Sequence, residues 1–247
     1  MKNLPVISIV TVSYNAVATI EKTILSVINQ TYPNIEYIII DGGSTDGTVD
    51  IIKKYEDKIA YWVSEPDKGI YDAMNKGIRV ATGEWINFMN CGDSFYQHNV
   101  IYEVFQRKIQ GDVVYGDTHI IEKWGAIVEK PMDLDCMKEI TPFCHQSSFV
   151  KLERMKMQEF NLKYSICADR DFFYKLWKQQ VSFSYVPIVI SSFDKSIGSL
   201  SGDSPVQMMK ENLLISSSEG WLVTLKLNIK IIRLLMSNFF AFFFRTK

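Results

Sequence analysis

Two acidic turns contain the residues of this sequence whose types and spacing could do chemistry. The first turn, residues 41–48 with the sequence DGGSTDGT, follows the apolar run 35–40, and the second, residues 90–93 with the sequence NCGD, follows the apolar run 85–89. In an open α/β sheet, ligands bind in the crevice outside the carboxyl ends of the strands, so carboxylates at those ends face a substrate. The two turns therefore predict a site for a phosphate-bearing ligand that a metal ion bridges to the protein.

Strand-like runs alternate with helical periodicity through the first hundred residues. The runs at 6–12 and 35–40 are each followed by apolar residues at helical spacing, and the runs at 59–64 and 85–89 flank a predicted helix at 71–81. A repeated change from strand-like to helical period is typical of consecutive βα units. The sequence therefore predicts an α/β fold with a parallel sheet and right-handed crossovers.

The pattern is less regular after residue 95. Long polar loops are either functional lids or disordered connections, and the sequence leaves both open for its Ser- and Gly-rich loop. We predict helices at 100–108 and 172–179, strands at 112–115 and 181–189, a hairpin at 118–128 around Trp124 and Gly125, and the polar loop at 191–205.

The composition favours one catalytic domain, at residues 1–220, followed by a tail at residues 221–247. A chain of 247 residues with 47% hydrophobic content can bury one sizeable core. Its formal net charge of -1, without a long block of like charges, argues against nucleic acid as a partner. The four cysteines form no CxxC pair and no secretory signal precedes the first strand, so we expect a reduced, cytoplasmic chain.

The tail at residues 221–247 differs from the rest of the chain because it lacks acidic residues. As a helix it would gather Lys226, Lys230 and Arg233 on one face against apolar residues. Its longest uncharged stretch, residues 234–244, is well short of the ~20 residues that a membrane span needs. We therefore expect an amphipathic helix in a membrane interface, on the inner face of the cytoplasmic membrane. The alternative is a terminal helix that packs on the domain or on a second subunit, as in a homodimer.

Several motifs, taken in their order and spacing, resemble one known enzyme family. The motifs are VTVSYN at 10–15, the turn 41–48, SEPDKGIYDAMNKG at 64–77, GEWINFMNCGD at 83–93 and, more weakly, ADRD at 168–171. Together they resemble the inverting family 2 glycosyltransferases, and in particular their bacterial surface-polysaccharide branch. The resemblance covers about the first hundred residues strongly and the rest loosely.

The resemblance implies a fold and an activity. The implied fold is the GT-A nucleotide-sugar-binding fold, a mixed, mostly parallel sheet flanked by helices. The implied activity is transfer of a sugar from a nucleoside diphosphate sugar, with UDP as the first choice of nucleotide, to a hydroxyl of a glycan or lipid-linked acceptor with inversion. Such a reaction belongs to polysaccharide biosynthesis for the cell envelope.

The end of the first strand is the expected nucleobase site. Thr11, Tyr14 and Asn15 stand there, and a ring and a hydroxyl can hold a base by stacking and hydrogen bonding. Asp41 ends the next strand, and its acceptor-only carboxylate suits the imide N–H of uracil, which is the role that the resemblance implies. The alternative for Asp41 is an ordinary turn at a strand end.

A second stretch is expected to lie over the donor. Asp67 and Lys68 form a loop before a helix start, and helix N-termini attract anions. The resemblance further implies that Asn75 faces the sugar or the phosphate. Lys68 could equally be a solvated surface charge.

The turn that contains Cys91, Gly92 and Asp93 is the expected diphosphate and metal site. Mg²⁺ is typically held by one or two carboxylates plus substrate phosphates, so Asp93 with a diphosphate would suffice for Mg²⁺ or Mn²⁺. The sequence departs from the Asp-X-Asp form of the family, because Cys91 stands two residues before Asp93. The departure leaves the metal requirement open.

Asp169 matches the position of the family's catalytic base, just before the predicted helix at 172–179. The helix dipole would keep its carboxylate ionised and ready to accept a proton. Asp171 is the rival base, and a helix cap is the alternative role for Asp169. His145 could add a metal ligand, touch the donor sugar, or be structural.

Two other functions compete with glycosyl transfer. A nucleotidyltransferase would make the activated sugar, but such enzymes usually open with a glycine-rich phosphate loop near the first strand, which residues 12–16 lack. A catalytically weak relative could bind the nucleotide sugar as a subunit of an assembly. The missing carboxylate of the Asp-X-Asp motif keeps that second alternative open.

Overall fold

The computed structural model describes residues 4–195, 204–220, 223–225 and 227–232. Within them, nine strands form one sheet with the order β3-β2-β1-β4-β8-β6-β9-β5, and β7 pairs with β6. The strands are β1 (Ile7–Ser13), β2 (Ile35–Asp41), β3 (Tyr61–Ser64), β4 (Trp85–Phe88), β5 (Ser94–Phe95), β6 (Val113–Glu122), β7 (Gly125–Glu129), β8 (Ser148–Lys151) and β9 (Phe183–Asp194).

Helices flank this sheet, as predicted. Three of the predicted helices, α1, α2 and α3, follow the first three strands as consecutive βα units. The helices are α1 (Ile20–Ile28), α2 (Thr48–Lys54), α3 (Ile70–Val80), α4 (Val100–Phe105), α5 (Leu152–Met157), α6 (Ala168–Lys178) and α7 (Pro205–Ile215). The prediction of a mixed α/β sheet flanked by helices is confirmed.

The alternation of side chains along the first strands builds a core on each face of the sheet. Ile7 and Ile9 of β1 belong to one buried cluster, whereas Val10 and Val12 belong to the other. In β2, Ile39 belongs to the same cluster as Ile7 and Ile9, whereas its neighbours Ile38 and Ile40 belong to the cluster of Val10 and Val12. Successive residues of a strand point to opposite faces, so a strand that is apolar throughout must be covered on both sides.

The first four strands are parallel, and their order creates a crevice. β1 pairs with β2 on one side and with β4 on the other, both in parallel. The chain therefore runs from β1 to β2 and β3 on one side, and later returns to pair β4 with the other side of β1. Ligands of open α/β sheets bind where the strand order reverses in this way, outside the carboxyl ends of the strands. The turn that follows β4 lies at this point.

Parallel pairing does not continue through the second half of the sheet. β8 is antiparallel to both β4 and β6, whereas β6 and β9 are parallel. The predicted hairpin is confirmed as β6 and β7, which pair from Thr118 with Glu129 to Glu122 with Gly125. β9 extends to Asp194 and so takes up the first part of the predicted polar loop; residues 196–203 of that loop lie outside the described residues.

Helix α6 begins earlier than predicted, at Ala168 rather than at 172, so Asp169 and Asp171 both lie in its first turn. The apolar pattern that predicts the helix begins only at Phe172, because the first turn is polar. The start of the helix is stabilised by Glu211 of α7, a helix that the sequence did not predict. Glu211 accepts hydrogen bonds from the backbone N–H groups of Ser165, Ile166 and Cys167 at 2.9–3.0 Å.

The described part of the tail is helical and contacts the domain. Leu227 is buried, and Lys230 Nζ lies 3.1 Å from Glu139 Oε2. Residues 221, 222, 226 and 233–247 lie outside the described residues, so the structure places Lys230 of the predicted basic face but not Lys226, Arg233 or the phenylalanine-rich end. Among the residues that the structure describes, no helix is long and apolar enough to cross a membrane.

Candidate active site

A cavity of about 470 Å³ opens at the carboxyl end of β4. Its walls come from the turn after β4, the start of α3, the segment before β8, the end of β9, the start of α6, and Met208 and Asn212 of α7. The lining residues that matter for chemistry are Tyr71, Asn90, Cys91, Gly92, Asp93, His145, Gln146, Asp169, Arg170, Asp194 and Asn212. The structure thus brings together four predicted residues of the turn and base, Cys91, Gly92, Asp93 and Asp169, with His145.

The turn after β4 is rigidly built. The Asp93 N–H donates to the Asn90 carbonyl at 3.0 Å, and Gly92 has a φ of 100°, which favours glycine. Thr23 of α1 holds the turn from behind: its hydroxyl accepts from the Gly92 N–H and donates to the Asp93 carbonyl. The apolar β4 therefore ends in a fixed turn that presents Asp93 to the cavity.

Asp93 is a buried carboxyl, 6% exposed, whose Oδ2 accepts a hydrogen bond of 2.8 Å from Gln146 Nε2. Burial raises its pKa from 3.8 to about 6, against the hydrogen bond from Gln146 and the nearby charge of His145. The negative charge of Asp194 adds to the rise. The carboxylate thus lies in a site that disfavours its own charge, where a cation would stabilise it.

Asp169 is held by two partners from other elements. Tyr71, at the start of α3, donates its hydroxyl to Asp169 Oδ1 at 2.9 Å. His145 Nδ1 lies 3.4 Å from Asp169 Oδ2, and His145 Nε2 lies 3.3 Å from Asn90 Nδ2. His145 therefore connects the turn after β4 to Asp169.

The pKa of Asp169 is lower than its usual value. Burial alone would raise it, but the hydrogen bond and charge of His145, the Tyr71 hydroxyl and a backbone N–H outweigh burial. The carboxylate is therefore ionised at neutral pH and can accept a proton.

The alternative role of Asp169 as a helix cap does not fit the geometry. Cys167 is the N-cap residue of α6, and its side chain makes no capping hydrogen bond in the described structure. Asp171, the rival base, forms an ion pair of 2.6 Å with Lys175 on the same helix and is absent from the described lining of the cavity. Two residues apart on a helix, the two aspartates point in different directions.

Arg170 fixes the first turn of α6 to the end of the domain. Its guanidinium is 3% exposed and donates to the Ser216 hydroxyl at 2.6 Å and, over longer distances, to the carbonyls of Met137, Lys138 and Asn212. Together with the Glu211 cap, these bonds place Asp169 through residues far along the chain. No local sequence signal marks them, so sequence reasoning missed their role.

Three predicted donor-binding residues have a different place in the structure. Thr11 is fully buried, donates to the Met89 carbonyl at 2.8 Å and lies 3.1 Å from the Tyr37 hydroxyl. Asn75 is also buried, and its amide forms two hydrogen bonds with the backbone of Phe160. Both side chains connect elements of the core in this structure, and their contact with the donor stays a prediction.

Asp41 is the third of these residues, and it organises its own loop. Its side chain is fully buried, and its oxygens accept from the hydroxyls of Ser13, Ser44 and Ser64 at 2.6–2.8 Å as well as from two backbone N–H groups. Burial opposes ionisation, but these bonds lower its pKa. In this structure the carboxylate holds the turn 41–48 against the end of β1, and its contact with uracil stays a prediction.

A separate group of predicted residues lies at the rim, beside the loop after β2. Tyr14 is 66% exposed. Gly42 lies close to both Tyr14 and Asp67, because a Cβ added to Gly42 would lie 3.3 Å from the Tyr14 ring and 2.5 Å from Asp67 Oδ2. Asn15 accepts a hydrogen bond from the Thr45 N–H. Lys68 is exposed, and its N–H donates to Asp72. Tyr14 and Asp67 thus form a shallow rim that an aromatic base could cover.

The oxygen ligands of the cavity fit a divalent cation only in part. Among the residues that the structure describes, no group of three His, Cys, Asp or Glu side chains could hold a metal ion. Asp93 is a hard oxygen ligand at the cavity wall, and one carboxylate plus substrate phosphates is a usual site for Mg²⁺. The residues therefore suit an ion that arrives with a diphosphate rather than one bound by the protein alone.

Comparison with known proteins identifies the family. The sequence model for glycosyl transferase family 2 matches residues 8–168, which is more than half of the chain. The chain belongs to glycosyl transferase family 2. An uncharacterized glycosyltransferase of Mycobacterium tuberculosis (strain CDC 1551) is 33% identical to it over 186 residues, or 70% of this chain and 69% of the relative. A PGL/p-HBAD biosynthesis glycosyltransferase of Mycobacterium bovis is 29% identical over 202 residues, or 77% of each chain.

Solved structures share the fold of this family 2 glycosyltransferase. Residues 1–349 of S. aureus TarS, in complex with UDP-GlcNAc, align with a TM-score of 0.68 at 17% identity, covering 85% of this chain and 66% of TarS 1–349. A mannosyltransferase of Pyrobaculum calidifontis, in complex with GDP-Man and Mn²⁺, aligns with a TM-score of 0.66 at 17% identity, covering 89% of this chain and 66% of its own. These alignments confirm the GT-A type of fold.

Proposed function

We propose that this family 2 glycosyltransferase moves a sugar from a nucleoside diphosphate sugar to an acceptor hydroxyl with inversion, and that UDP is the nucleotide. The observation that carries the proposal is the position of the Asp169 carboxylate, held by Tyr71 and His145 in the same cavity as the Asp93 turn. A base and a diphosphate site must share one cavity for such a transfer.

The nucleotide would lie at the crevice beside β1 and β4. Its base would cover the rim of Tyr14 and Asp67, and its diphosphate would reach the turn at Cys91, Gly92 and Asp93. The complexes of TarS with UDP-GlcNAc support a uridine nucleotide, whereas the mannosyltransferase complex with GDP-Man shows that other bases occur on the same fold. Because the buried Asp41 offers no exposed acceptor, discrimination between bases falls to the rim.

A divalent ion, Mg²⁺ or Mn²⁺, would be held by Asp93 together with the diphosphate. Bound there, it would supply charge stabilisation for the departing nucleoside diphosphate. The Mn²⁺ in the mannosyltransferase complex supports a divalent ion in this fold. Gln146 orients the Asp93 carboxylate, which keeps one oxygen for this role.

Asp169 would act on the acceptor. Its carboxylate takes the proton of the acceptor hydroxyl as the acceptor oxygen bonds to the anomeric carbon and the bond to the diphosphate oxygen breaks. Attack and departure on opposite faces of that carbon invert its configuration. Tyr71 and His145 are positioning residues, because they hold both oxygens of Asp169. A general base of this kind typically contributes about 10²–10⁴-fold in rate.

The acceptor is proposed to be a glycan or lipid-linked saccharide in envelope polysaccharide biosynthesis. The M. bovis relative, a PGL/p-HBAD biosynthesis glycosyltransferase, supports a role in making surface glycoconjugates. The basic tail at residues 221–247 would bring the enzyme to the inner face of the cytoplasmic membrane. The competing proposal is a tail that packs on the domain, which the contacts of Leu227 and Lys230 support, or on a second subunit in a homodimer.

A thermal-shift screen of nucleotide sugars tests the proposed donor. A ligand that binds only the folded protein raises the melting temperature by mass action, so a UDP-sugar with Mn²⁺ is expected to give the largest rise. Nucleoside triphosphates serve as the comparison. A flat response to every nucleotide sugar would contradict the proposal, and release of pyrophosphate from a triphosphate and a sugar phosphate would indicate a nucleotidyltransferase instead.

A further inference from the structure

The side chain of Asn90 joins the turn after β4 to the candidate base. Asn90 begins that turn, because its backbone carbonyl accepts from the Asp93 N–H. Its side-chain Nδ2 lies 3.3 Å from His145 Nε2, and the other ring nitrogen, Nδ1, lies 3.4 Å from Asp169 Oδ2. One chain of contacts therefore runs from the turn, through an amide and an imidazole, to Asp169.

The two ends of this chain of contacts determine which nitrogen of His145 carries the proton. An ionised carboxylate only accepts hydrogen bonds, so Asp169 requires the proton on Nδ1. The NH₂ group of Asn90 only donates, so it requires a lone pair on Nε2. The hydrogen bonds of the two ring nitrogens fix the tautomer of a histidine, and here both partners select the same neutral form.

The other charges of the cavity favour a positive ring. Three carboxylates and one guanidinium are among its described lining groups, namely those of Asp93, Asp169, Asp194 and Arg170. Burial raises the pKa of the remaining titratable side chains, so they are uncharged at neutral pH: Tyr71, Cys91, Cys144 and Cys167. Nearby negative charge favours an imidazolium, so the Asn90 N–H is the contact that opposes a second proton on His145.

We propose that Asn90 is a positioning residue of the transfer reaction, and that its amide keeps His145 neutral near pH 7. The neutral ring donates its Nδ1–H to Asp169 and orients the carboxylate without placing a positive charge beside it. An imidazolium there would stabilise the ionised carboxylate further and make it a weaker base. At the low pH where Asp169 itself titrates, the ring is charged. The inference rests on the proposed function for the role of Asp169.

Imidazole ¹⁵N NMR of the full-length protein tests the proton position without measuring catalysis. The chain has three histidines, and the spectrum of His145→Phe identifies the signals of His145. At pH 7 the wild type is expected to show a proton on Nδ1 and none on Nε2. Asn90→Leu keeps the shape of the side chain but cannot donate, so doubly protonated His145 should appear. Asn90→Asp places an acceptor at Nε2 and should convert the ring fully to that form.

The control keeps the chemistry of the substitution and changes its place. Asn212→Leu replaces another buried asparagine of the same cavity, one that makes no hydrogen bond to His145 in the described structure, and its spectrum should match that of wild type. A wild-type His145 that is doubly protonated or carries its proton on Nε2 would overturn the assignment. Unchanged His145 signals in both Asn90 variants would overturn it as well.

A double-mutant cycle tests whether Asn90 acts through His145. The probe is hydrolysis of UDP-GlcNAc, the ligand of the TarS complex, with Mn²⁺ and with water in place of the acceptor. Asn90→Leu is expected to lower kcat at least about tenfold, which is part of the ~10²–10⁴-fold that a general base supplies. In the His145→Phe background the same substitution should change kcat less than about twofold, because members of one network are not additive. Equal losses in both backgrounds would overturn the route through His145.

Failure of this inference and failure of the proposed function give different results. A wild-type chain with the expected ¹⁵N pattern whose melting temperature no UDP-sugar raises would contradict the proposed function alone. A chain that hydrolyses UDP-GlcNAc and loses that activity in Asp169→Asn, but fails the NMR test, would contradict the role of Asn90 alone. The NMR result determines the proton position of His145 whichever sugar the enzyme transfers.

Discussion

The geometry around Asp169 shows how one side chain is prepared for proton transfer. Its two oxygens face different partners, Tyr71 from α3 and His145 from the segment before β8. Both partners are fixed by other contacts: the single Tyr71 hydroxyl proton is shared between Asp169 and the Ile166 carbonyl, 2.6 Å away, and His145 lies against Asn90. A base held in this way needs little reorganisation when the acceptor arrives.

Replacement of Asp169 tests this role. Asp169→Asn is expected to lower kcat by about 10²–10⁴-fold, because the amide cannot accept the acceptor's proton, while the thermal shift caused by UDP-sugar stays. Asp171→Asn, two residues away and paired with Lys175, is the control and should stay within a few-fold of wild type. A rate for Asp169→Asn close to wild type would place the base elsewhere.

Asp93 gives a prediction that joins stability to pH. Its pKa is raised from 3.8 to about 6, so the folded state keeps a proton that the unfolded state releases as pH rises through this window. The free energy of unfolding therefore decreases as pH rises from 3.8 to about 6. Above that range the full cost of burying the charged Asp93 carboxylate is present. A shift of this size corresponds to about 3 kcal/mol.

Asp93→Asn removes that cost, because an amide has no charge to bury. In buffer with a chelator at pH 7.5, the variant is expected to melt at a higher temperature than wild type, and the difference should shrink as pH falls below 5. The same variant should lose the stabilisation that UDP with Mn²⁺ gives to wild type. A lower melting temperature at pH 7.5 would show that burial of the Asp93 charge is not costly.

At the scale of elements, the site depends on the contact between α6 and α7. Glu211 is 2% exposed and satisfies three N–H groups at the start of α6 as well as the Ser165 hydroxyl. Burial opposes its charge, but hydrogen bonds from Gln207 and from these groups lower its pKa. Helix α6, which carries Asp169, thus begins where the Glu211 carboxylate of α7 accepts hydrogen bonds from its first N–H groups.

Removal of this cap should destabilise the protein and disturb the site together. Glu211→Ala leaves several buried N–H groups unpaired and is expected to lower the free energy of unfolding by at least about 2 kcal/mol, measured by urea denaturation. Glu211→Gln, which keeps one acceptor oxygen, should lose less. Glu56→Ala, at an exposed position of a 3₁₀ helix, is the control. If Glu211→Ala were as stable as the control, the cap would not determine where α6 begins.

The first four strands could be predicted from the sequence, whereas the second half of the site could not. Strands β1 to β4 and the helices between them have strong periodicity, so their positions agree with prediction to within two residues. Asp169 is different: its position depends on Glu211 and Arg170, whose partners are distant in sequence. Asp194 also escapes local reasoning, because it lines the same cavity as Asp93 from the end of β9, far along the chain.

The sequence predicts that Thr11, Asn75 and Asp41 bind the donor because it does not reveal that their side chains are buried. A sequence shows that a polar residue ends a strand or begins a helix, but not whether its side chain faces the crevice or the core. Asn75 lies on the side of α3 that meets Phe160, and Thr11 points into the sheet interior. The fold supplies polar partners for each, so core hydrogen bonding alone is enough to account for their polarity.

At the scale of the whole molecule, the tail can be separated from the site. Among the residues that the structure describes, those that line the cavity all precede Gly220. A chain ending at Gly220 is therefore expected to keep the thermal shift with UDP-sugar and Mn²⁺, with a modest loss of stability from the contacts of Leu227 and Lys230. It should no longer pellet with vesicles that contain anionic lipid, because the basic residues near the membrane are gone. Unchanged pelleting would place the membrane contact elsewhere, and a change from dimer to monomer would favour the tail as a subunit contact.

The central claim is that the cavity at the ends of β1 and β4 binds a nucleoside diphosphate sugar through the turn at Asp93. A crystal structure of the full-length protein with UDP and Mn²⁺ tests it most directly. We expect the uracil over the rim of Tyr14 and Asp67, and the diphosphate in contact with a Mn²⁺ ion that Asp93 coordinates. An empty cavity at saturating UDP and Mn²⁺, or a nucleotide bound at another surface, would contradict it.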